Sequence, residues 1–318
     1  MEYEDEFAND STALNFTAPS PGTEESKIPW IIYHIVGVFA AIENAIVLLI
    51  VLKSKKFRNK RNIFLFSLSL ADFIVGLQSV LIYADIFNES YVFGSILDAM
   101  FLVSMFSISA VCIERYIAIV GAPFTYKQII TLKRCLVVCF FIWDIPITVI
   151  LVIYGYVYNR WTRFAFACVS LCSIVANCIL YYKISLELTK NDRKITEDFR
   201  NNMLGRSRKL IRSFTILLVI SSVCWLPLCC FWTLAVIYET VDNNVNSENW
   251  LFCLALSNSV INPIVYWFRL PGIKEELQNL ICCCRNVAKK EKANSNSPQT
   301  ISTVTTSLPI SVTNSESI

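Results

Sequence analysis

Six ionisable side chains stand where water is scarce: Glu43, Asp72, Asp98, Glu114, Arg115 and Asp144 each lie inside a stretch that is otherwise apolar. Three amides, Asn44, Asn258 and Asn262, share that setting. The segment "SILDAMFLVSMFSISAVCIERY", Ser95 to Tyr116, carries three of the six charges, Asp98 near its start and Glu114 and Arg115 at its end. A charged side chain at the centre of a bilayer costs about 2.5–3.5 kcal/mol on insertion scales, so each marks a candidate functional position. The chemistry open to this set is binding and switching rather than bond cleavage. The single histidine, His34, belongs to no Cys/His/Asp cluster of the kind that holds a catalytic zinc, and no enzymatic activity is expected.

The elements that must position these groups follow from hydropathy. The chain has 318 residues, 55% of them hydrophobic and 17% charged, with a mean hydropathy of +0.51, the balance of a membrane protein. A bilayer core of about 30 Å needs roughly 20 apolar residues of helix. Seven stretches qualify, near 29–52, 63–84, 92–118, 135–157, 164–186, 211–238 and 248–268. Asp98 and Arg115 are then about 25 Å apart along one helix and address opposite faces of the membrane.

Orientation follows from the connections. "KSKKFRNKRN" and "GRSRKLIR" are basic, whereas "DIFNES" and "YETVDNNVNSE" are acidic, which places the N-terminus outside and the C-terminus inside. No cleavable signal precedes the first span, which is expected to act as its own anchor. Asn9-Asp-Ser and Asn15-Phe-Thr are glycosylation sequons in the acidic tail assigned to the outside. None of the 13 cysteines falls in an expected outer loop, so no extracellular disulfide framework is expected. Cys282, Cys283 and Cys284, just past the last span, suit palmitoylation.

The expected organisation is an outer disordered tail (1–28), an all-α bundle of seven transmembrane helices (29–270), a short amphipathic helix on the inner membrane surface (271–285) and a disordered cytoplasmic tail (286–318). Ile273, Leu277, Leu280 and Ile281 recur at helical spacing in the third of these. The tail's "TISTVTTS" offers sites for phosphorylation.

Several intramembrane polar residues stand in ordered local patterns: "ENAIVLLIVL" in span one, "LSLADFIVG" in span two, "ERYIAIV" ending span three, Trp143 in span four, "CWLPL" in span six and "NSVINPIVYWF" in span seven. In this order and spacing they resemble the rhodopsin-like, class A G-protein-coupled receptors, over roughly residues 30–285. The resemblance implies a plasma-membrane receptor that binds an extracellular ligand and activates a heterotrimeric G protein. Receptor kinases and arrestin are implied partners of the Ser/Thr-rich tail, with membrane lipid around the bundle and no nucleic acid.

Residue by residue, the resemblance makes Glu114, Arg115 and Tyr116 the cytoplasmic switch, with Tyr266 and either Tyr181 or Tyr182 as tyrosines that move inward on activation. Pro227 and Pro263 interrupt helical hydrogen bonding and permit kinks, giving helices six and seven two packings. Asp72 takes the place of the family's sodium-site carboxylate; Ser104, Asn258, Ser259 and Asn262 match the cage and Asn44 lies nearby. A sodium ion suits such oxygens, and no other cofactor is implied. Family landmarks place Leu97, Asp98, Phe101, Trp225, Leu228, Trp232, Phe252 and Leu256 around an outer cavity, with Trp225 at its floor.

The departures are informative. Ser90 stands at the usual helix-three cysteine, helix five lacks its proline, Ser221 replaces an aromatic one turn before Trp225, and Glu43 replaces a glycine before Asn44. The Glu43-Asn44 pair, the missing helix-three cysteine and the missing helix-five proline together look like the group holding melanocortin, cannabinoid and lysolipid receptors, with adenosine receptors as looser relatives. The foot of helix six, with Arg206, Arg208, Lys209 and Arg212, is basic where the family often has an acid that braces the switch arginine, so raised basal signalling is expected. An apolar, aromatic cavity with one acid fits a small or lipid-like ligand. A divergent amine or peptide receptor, or a non-signalling decoy or scaffold, is the alternative. An opsin is excluded, because residues 248–268 hold no lysine for a Schiff base.

Overall fold

The computed structural model describes residues 24–55, 57–83, 91–121, 124–156, 160–192, 205–238, 245–269 and 272–279. These residues are helical or turn, with no strand among them. Seven long helices follow in chain order: α1 (Glu24–Lys53), α2 (Ile63–Tyr83), α3 (Tyr91–Tyr116), α4 (Leu132–Tyr156), α5 (Arg160–Asp192), α6 (Gly205–Ile237) and α7 (Val245–Arg269). Each holds a segment long and apolar enough to cross a membrane. In hydrocarbon every backbone N–H and C=O must be satisfied within its own segment, which is why such sequences fold as helices. A wide π turn, Ile117–Gly121, ends α3, and a one-turn helix, Tyr126–Ile129, precedes α4.

The chain divides into two units, Met1–Glu276, which holds the bundle, and Leu277–Ile318. A further helix, α8, runs over 273–279. Ile273 at its start is fully buried. The sequons at Asn9 and Asn15, the cysteines Cys282, Cys283 and Cys284, Ser90 and the cytoplasmic tail lie outside the described residues.

The bundle is organised about α3, 78% buried along its spanning window, while α4 is 22% buried and forms an outer wall. Lipid tails are as apolar as leucine, so close backbone approach and interhelical hydrogen bonds hold such a bundle together. Between α1 and α2 the approach needs glycine: a Cβ on Gly76 would lie 2.5 Å from the Ala41 nitrogen and 2.7 Å from the Gly37 carbonyl oxygen. One turn on, His34 Nδ1 donates to the Ser79 carbonyl at 2.6 Å. Between α2, α3 and α4, Trp143 Nε1 donates to Ser67 Oγ, which shares a hydrogen bond with Ser107 Oγ, both at 2.9 Å.

Not every intramembrane charge faces inward. Asp144 is exposed on the outer wall of α4, between the exposed Phe141 and Ile145.

Candidate functional site

Polar groups gather at three levels of the bundle. The upper level is the end where α1 starts, and the lower is where it stops.

At the middle level Asp72 of α2 is fully buried. Its Oδ1 accepts from Ser104 Oγ of α3 at 3.0 Å and from Ser259 Oγ of α7 at 2.9 Å, and its Oδ2 from Asn262 Nδ2 at 2.8 Å. Asn44 of α1 donates to the carbonyls of Ala40 and Ser259, each at 2.9 Å, joining a fourth helix to the cluster. Asn258 Oδ1, one helical turn before Asn262, is buried without a hydrogen-bond partner among the described residues. Carboxylate, hydroxyl and amide oxygens of this kind fit a small hard cation: Asp72 and Ser104 would hold it, with Asn258 supplying the acceptor that the protein leaves unused.

At the lower level Glu114 is 2% exposed and is held from two sides. Arg115 Nε lies 3.0 Å from its Oε2, and the Tyr126 hydroxyl of the one-turn helix donates to its Oε1. Lys60 sits over the Tyr126 ring, 5.6 Å from its centroid, and donates to the Ile130 carbonyl, so the connection before α2 braces the same turn. Above this level Tyr181, Tyr266, Ile108, Cys112, Leu65 and Leu217 line one small cavity between five helices. Tyr181 is buried and Tyr182 is 68% exposed, so of the two it is Tyr181 that faces its interior. Arg206, Arg208, Lys209 and Arg212 lie on a described helical backbone at the start of α6, but their side chains lie outside what is described.

At the upper level the eight residues expected around a cavity come together as packed core. Leu97, Phe101, Trp225, Leu228, Trp232 and Leu256 belong to one cluster, Phe252 packs against it, and Asp98 is 5% exposed. The aromatic rings interlock edge to face: Phe101 on Trp225 at 4.9 Å and Trp232 on Phe252 at 5.6 Å between centroids. Ser221 is buried one turn before Trp225 on the same helix.

Three further residues complete this level, and the sequence reading passed over them. Phe166 of α5 meets both tryptophans, at 6.2 Å from Trp225 and 5.4 Å from Trp232. Arg163 of α5 places Nη1 at 3.2 and 3.4 Å from the two oxygens of Glu248 on α7. Trp232 Nε1 donates to Glu248 Oε1 at 2.7 Å. Asp98 lies within Coulombic reach of both Glu248 and Arg163, and its Oδ1 has no hydrogen-bond partner among the described residues. Arg163 stands one residue before the fifth expected span, 164–186, and Glu248 ends the acidic stretch "YETVDNNVNSE" at the start of the seventh, 248–268. Helical spacing held a signal for both: Arg163 stands three residues before Phe166, and Glu248 four before Phe252, on the same faces.

Comparison with known proteins bears on the whole arrangement. The family model for the seven-transmembrane receptors of the rhodopsin family matches residues 43–174 and 155–266. The tachykinin-like peptides receptor 86C of Drosophila melanogaster is 26% identical, over 84% of this chain and 62% of that receptor's own length. Melanocortin receptor 5 of Mus musculus is 25% identical, over 85% of this chain and 89% of its own length. Sphingosine 1-phosphate receptor 3 of Takifugu rubripes is 24% identical, over 83% and 73% respectively. The chain thus spans a little under two thirds of the tachykinin-like receptor and most of the other two.

Proposed function

Because the chain belongs to the rhodopsin family of seven-transmembrane receptors, we propose that it takes a small or lipid-like ligand at its upper, extracellular end and activates a heterotrimeric G protein at its lower, cytoplasmic end. Rearrangement of α3, α5, α6 and α7 carries the signal. The observation that supports this most directly is the distribution of polar contacts along α3: Asp98, Ser104 and Glu114 each engage a different level of one helix. A rotation or shift of α3 changes all three together, which is what a bistable element requires.

Each level has a part in this reading. Ligand at the upper level repacks Trp225 and its aromatic neighbours. At the middle level a sodium ion held by Asp72, Ser104, Asn258 and Asn262 favours the resting packing, and its loss favours the active one. Below, Arg115 leaves Glu114 for the G protein, while Tyr181 and Tyr266 close on the cavity that they share. Pro227 and Pro263, each inside its helix, free one backbone carbonyl apiece and ease the movement of α6 and α7. The plasma membrane, with the N-terminal tail outside and glycosylated at Asn9 and Asn15, is the proposed location. The tail with Cys282, Cys283 and Cys284 is the proposed site of palmitoylation and of receptor-kinase and arrestin binding.

The test is nucleotide exchange on purified G proteins of several classes, driven by the receptor in lipid nanodiscs. Exchange above empty nanodiscs is expected from the unaltered receptor, falling at least about tenfold in Arg115→Ala. No exchange on any G protein, or equal exchange by the variant, would overturn the signalling role and leave a decoy or scaffold.

A further inference from the structure

Asp72, Asp98 and Glu114 are buried between helices, whereas Asp144 is exposed. It stands halfway along α4, twelve residues from either end, with about 18 Å of helix on each side. Lysine and arginine have long stems that carry their charge toward the membrane surface; aspartate has a single methylene. Ionisable groups within membrane spans otherwise face the bundle interior or a water-filled cavity. An acid at mid-height on an outer wall therefore calls for a partner outside its own chain.

The face that carries it is patterned. α4 packs beside α3 and α2 with Cys135, Ile142 and Ile150 turned to the core. Asp144, two residues on from Ile142, lies about 200° round the helix from it. On this outward side Val137, Phe141, Asp144, Thr148 and Leu151 recur at intervals of 4, 3, 4 and 3 residues; the first four are exposed and Leu151 is partly so. A mean spacing of 3.5 marks the stripe along which two parallel helices meet, and a polar position within it sets their register. The polar members of this stripe are also unspent. On other helices Ser173, Ser222, Thr233 and Ser257 each donate to the carbonyl four residues back. Asp144 and Thr148 make no hydrogen bond or ion pair among the described residues.

We propose that a second copy of the chain docks on this stripe, α4 against α4 about a two-fold axis along the membrane normal, with Asp144 bonded to Asp144. All copies share one orientation in the membrane, so across such an axis each residue of the seam meets its like at equal depth. A carboxyl with its proton is donor and acceptor at once, and two carboxyls with one proton or two between them satisfy each other. Thr148, one turn nearer the upper end, adds a hydroxyl to each side, and Val137 and Phe141 supply the apolar remainder of the seam. Because lipid tails are as apolar as these side chains, interhelical hydrogen bonds are what favours the pair over two separate bundles. The proposal does not depend on which ligand or G protein the receptor takes.

The experiment uses the full-length receptor, fused at its C-terminus to a donor or an acceptor fluorescent protein and reconstituted in liposomes. Energy transfer is followed over a range of protein-to-lipid ratios, with chance proximity set by an unrelated single-span helix carrying the same labels. The unaltered receptor should show transfer well above chance. Asp144→Leu should weaken association at least about fivefold. Asp144→Asn should hold it within about twofold, because an amide also donates and accepts. These changes face out of the bundle, and a thermal midpoint in detergent equal to that of the unaltered receptor shows that the fold is kept; should Asp144→Leu fail that check, Asp144→Ala gives the same reading. Association by Asp144→Leu as tight as that of the unaltered receptor would overturn the proposal, as would an Asp144→Asn variant as weak as Asp144→Leu. A receptor that stays monomeric in pure lipid would overturn it too, and would leave a helix of another protein, with a lysine or arginine at mid-height, as the occupant.

Discussion

Two aspartates buried in the same bundle are treated in opposite ways. Asp72 receives three hydrogen bonds on its two oxygens, from α3 and α7. Asp98 leaves one oxygen with no donor among the described residues, although Arg163, within Coulombic reach of it, serves Glu248 instead. A carboxylate whose acceptors are filled by the protein belongs to the scaffold, and its removal strands the donors that faced it. One whose acceptor is left open costs the scaffold free energy. Glu114, held by Arg115 and Tyr126, is a third case: it is satisfied, but by partners at the lower edge that can be exchanged.

The largest effect expected from this contrast is on stability. Asp72→Leu strands Ser104, Ser259 and Asn262 at once. At about 1–3 kcal/mol for each buried group left unsatisfied, it should lower the thermal midpoint in detergent sharply or block surface expression. Asp72→Asn keeps the shape and removes the charge, so a milder loss is expected, together with loss of any stabilisation by sodium over choline. Sodium stabilisation unchanged in that variant would detach the ion from this site.

Next comes the switch. Tyr126→Phe removes one holder of Glu114, and a hydrogen bond to a charged group contributes about 1.5–3 kcal/mol. Because Tyr126 is half-buried at the edge of the bundle, ligand-free nucleotide exchange should rise by roughly threefold to tenfold. An unchanged basal rate would mean that the contact does not bias the switch. The smallest effect, and the one that sharpens the contrast most, is expected of Asp98→Asn on the fold itself. The thermal midpoint of the ligand-free receptor should stay level or rise, since the variant removes a buried carboxyl group with an oxygen that no described donor reaches. A fall comparable to that of Asp72→Leu would place Asp98 in the scaffold as well.

Much of the bundle was legible in the residues alone. The second expected span, 63–84, meets the helix Ile63–Tyr83, and the first, 29–52, lies within Glu24–Lys53, because about 20 apolar residues in a row have one low-energy solution in a bilayer. Helix ends were read less well. The fifth span was expected from residue 164, yet α5 begins at Arg160 and carries Arg163 a further turn into the site. Hydropathy stops at the first charged residue, whereas the helix continues because a partner on another helix receives that charge. The choice between Tyr181 and Tyr182 was likewise closed to spacing, since adjacent residues on a helix differ by about 100° and only a neighbour tells which side is inward.

By itself the sequence determined the number of spans, the order of the polar patterns along them, and hence the family and the three levels at which polar chemistry would occur. These depend on local hydropathy and spacing, which one strand of text contains in full. Only the tertiary structure decided which acid is filled and which is left open. That Glu248 takes the arginine and the indole while Asp98 does not, that Tyr126 reaches Glu114 from a turn outside the membrane helices, and that Asp144 lies on the outer wall all depend on distances between helices. Hydrogen bonds reach about 3 Å, so a donor and an acceptor 85 residues apart in the chain, Arg163 and Glu248, meet only once the bundle has packed.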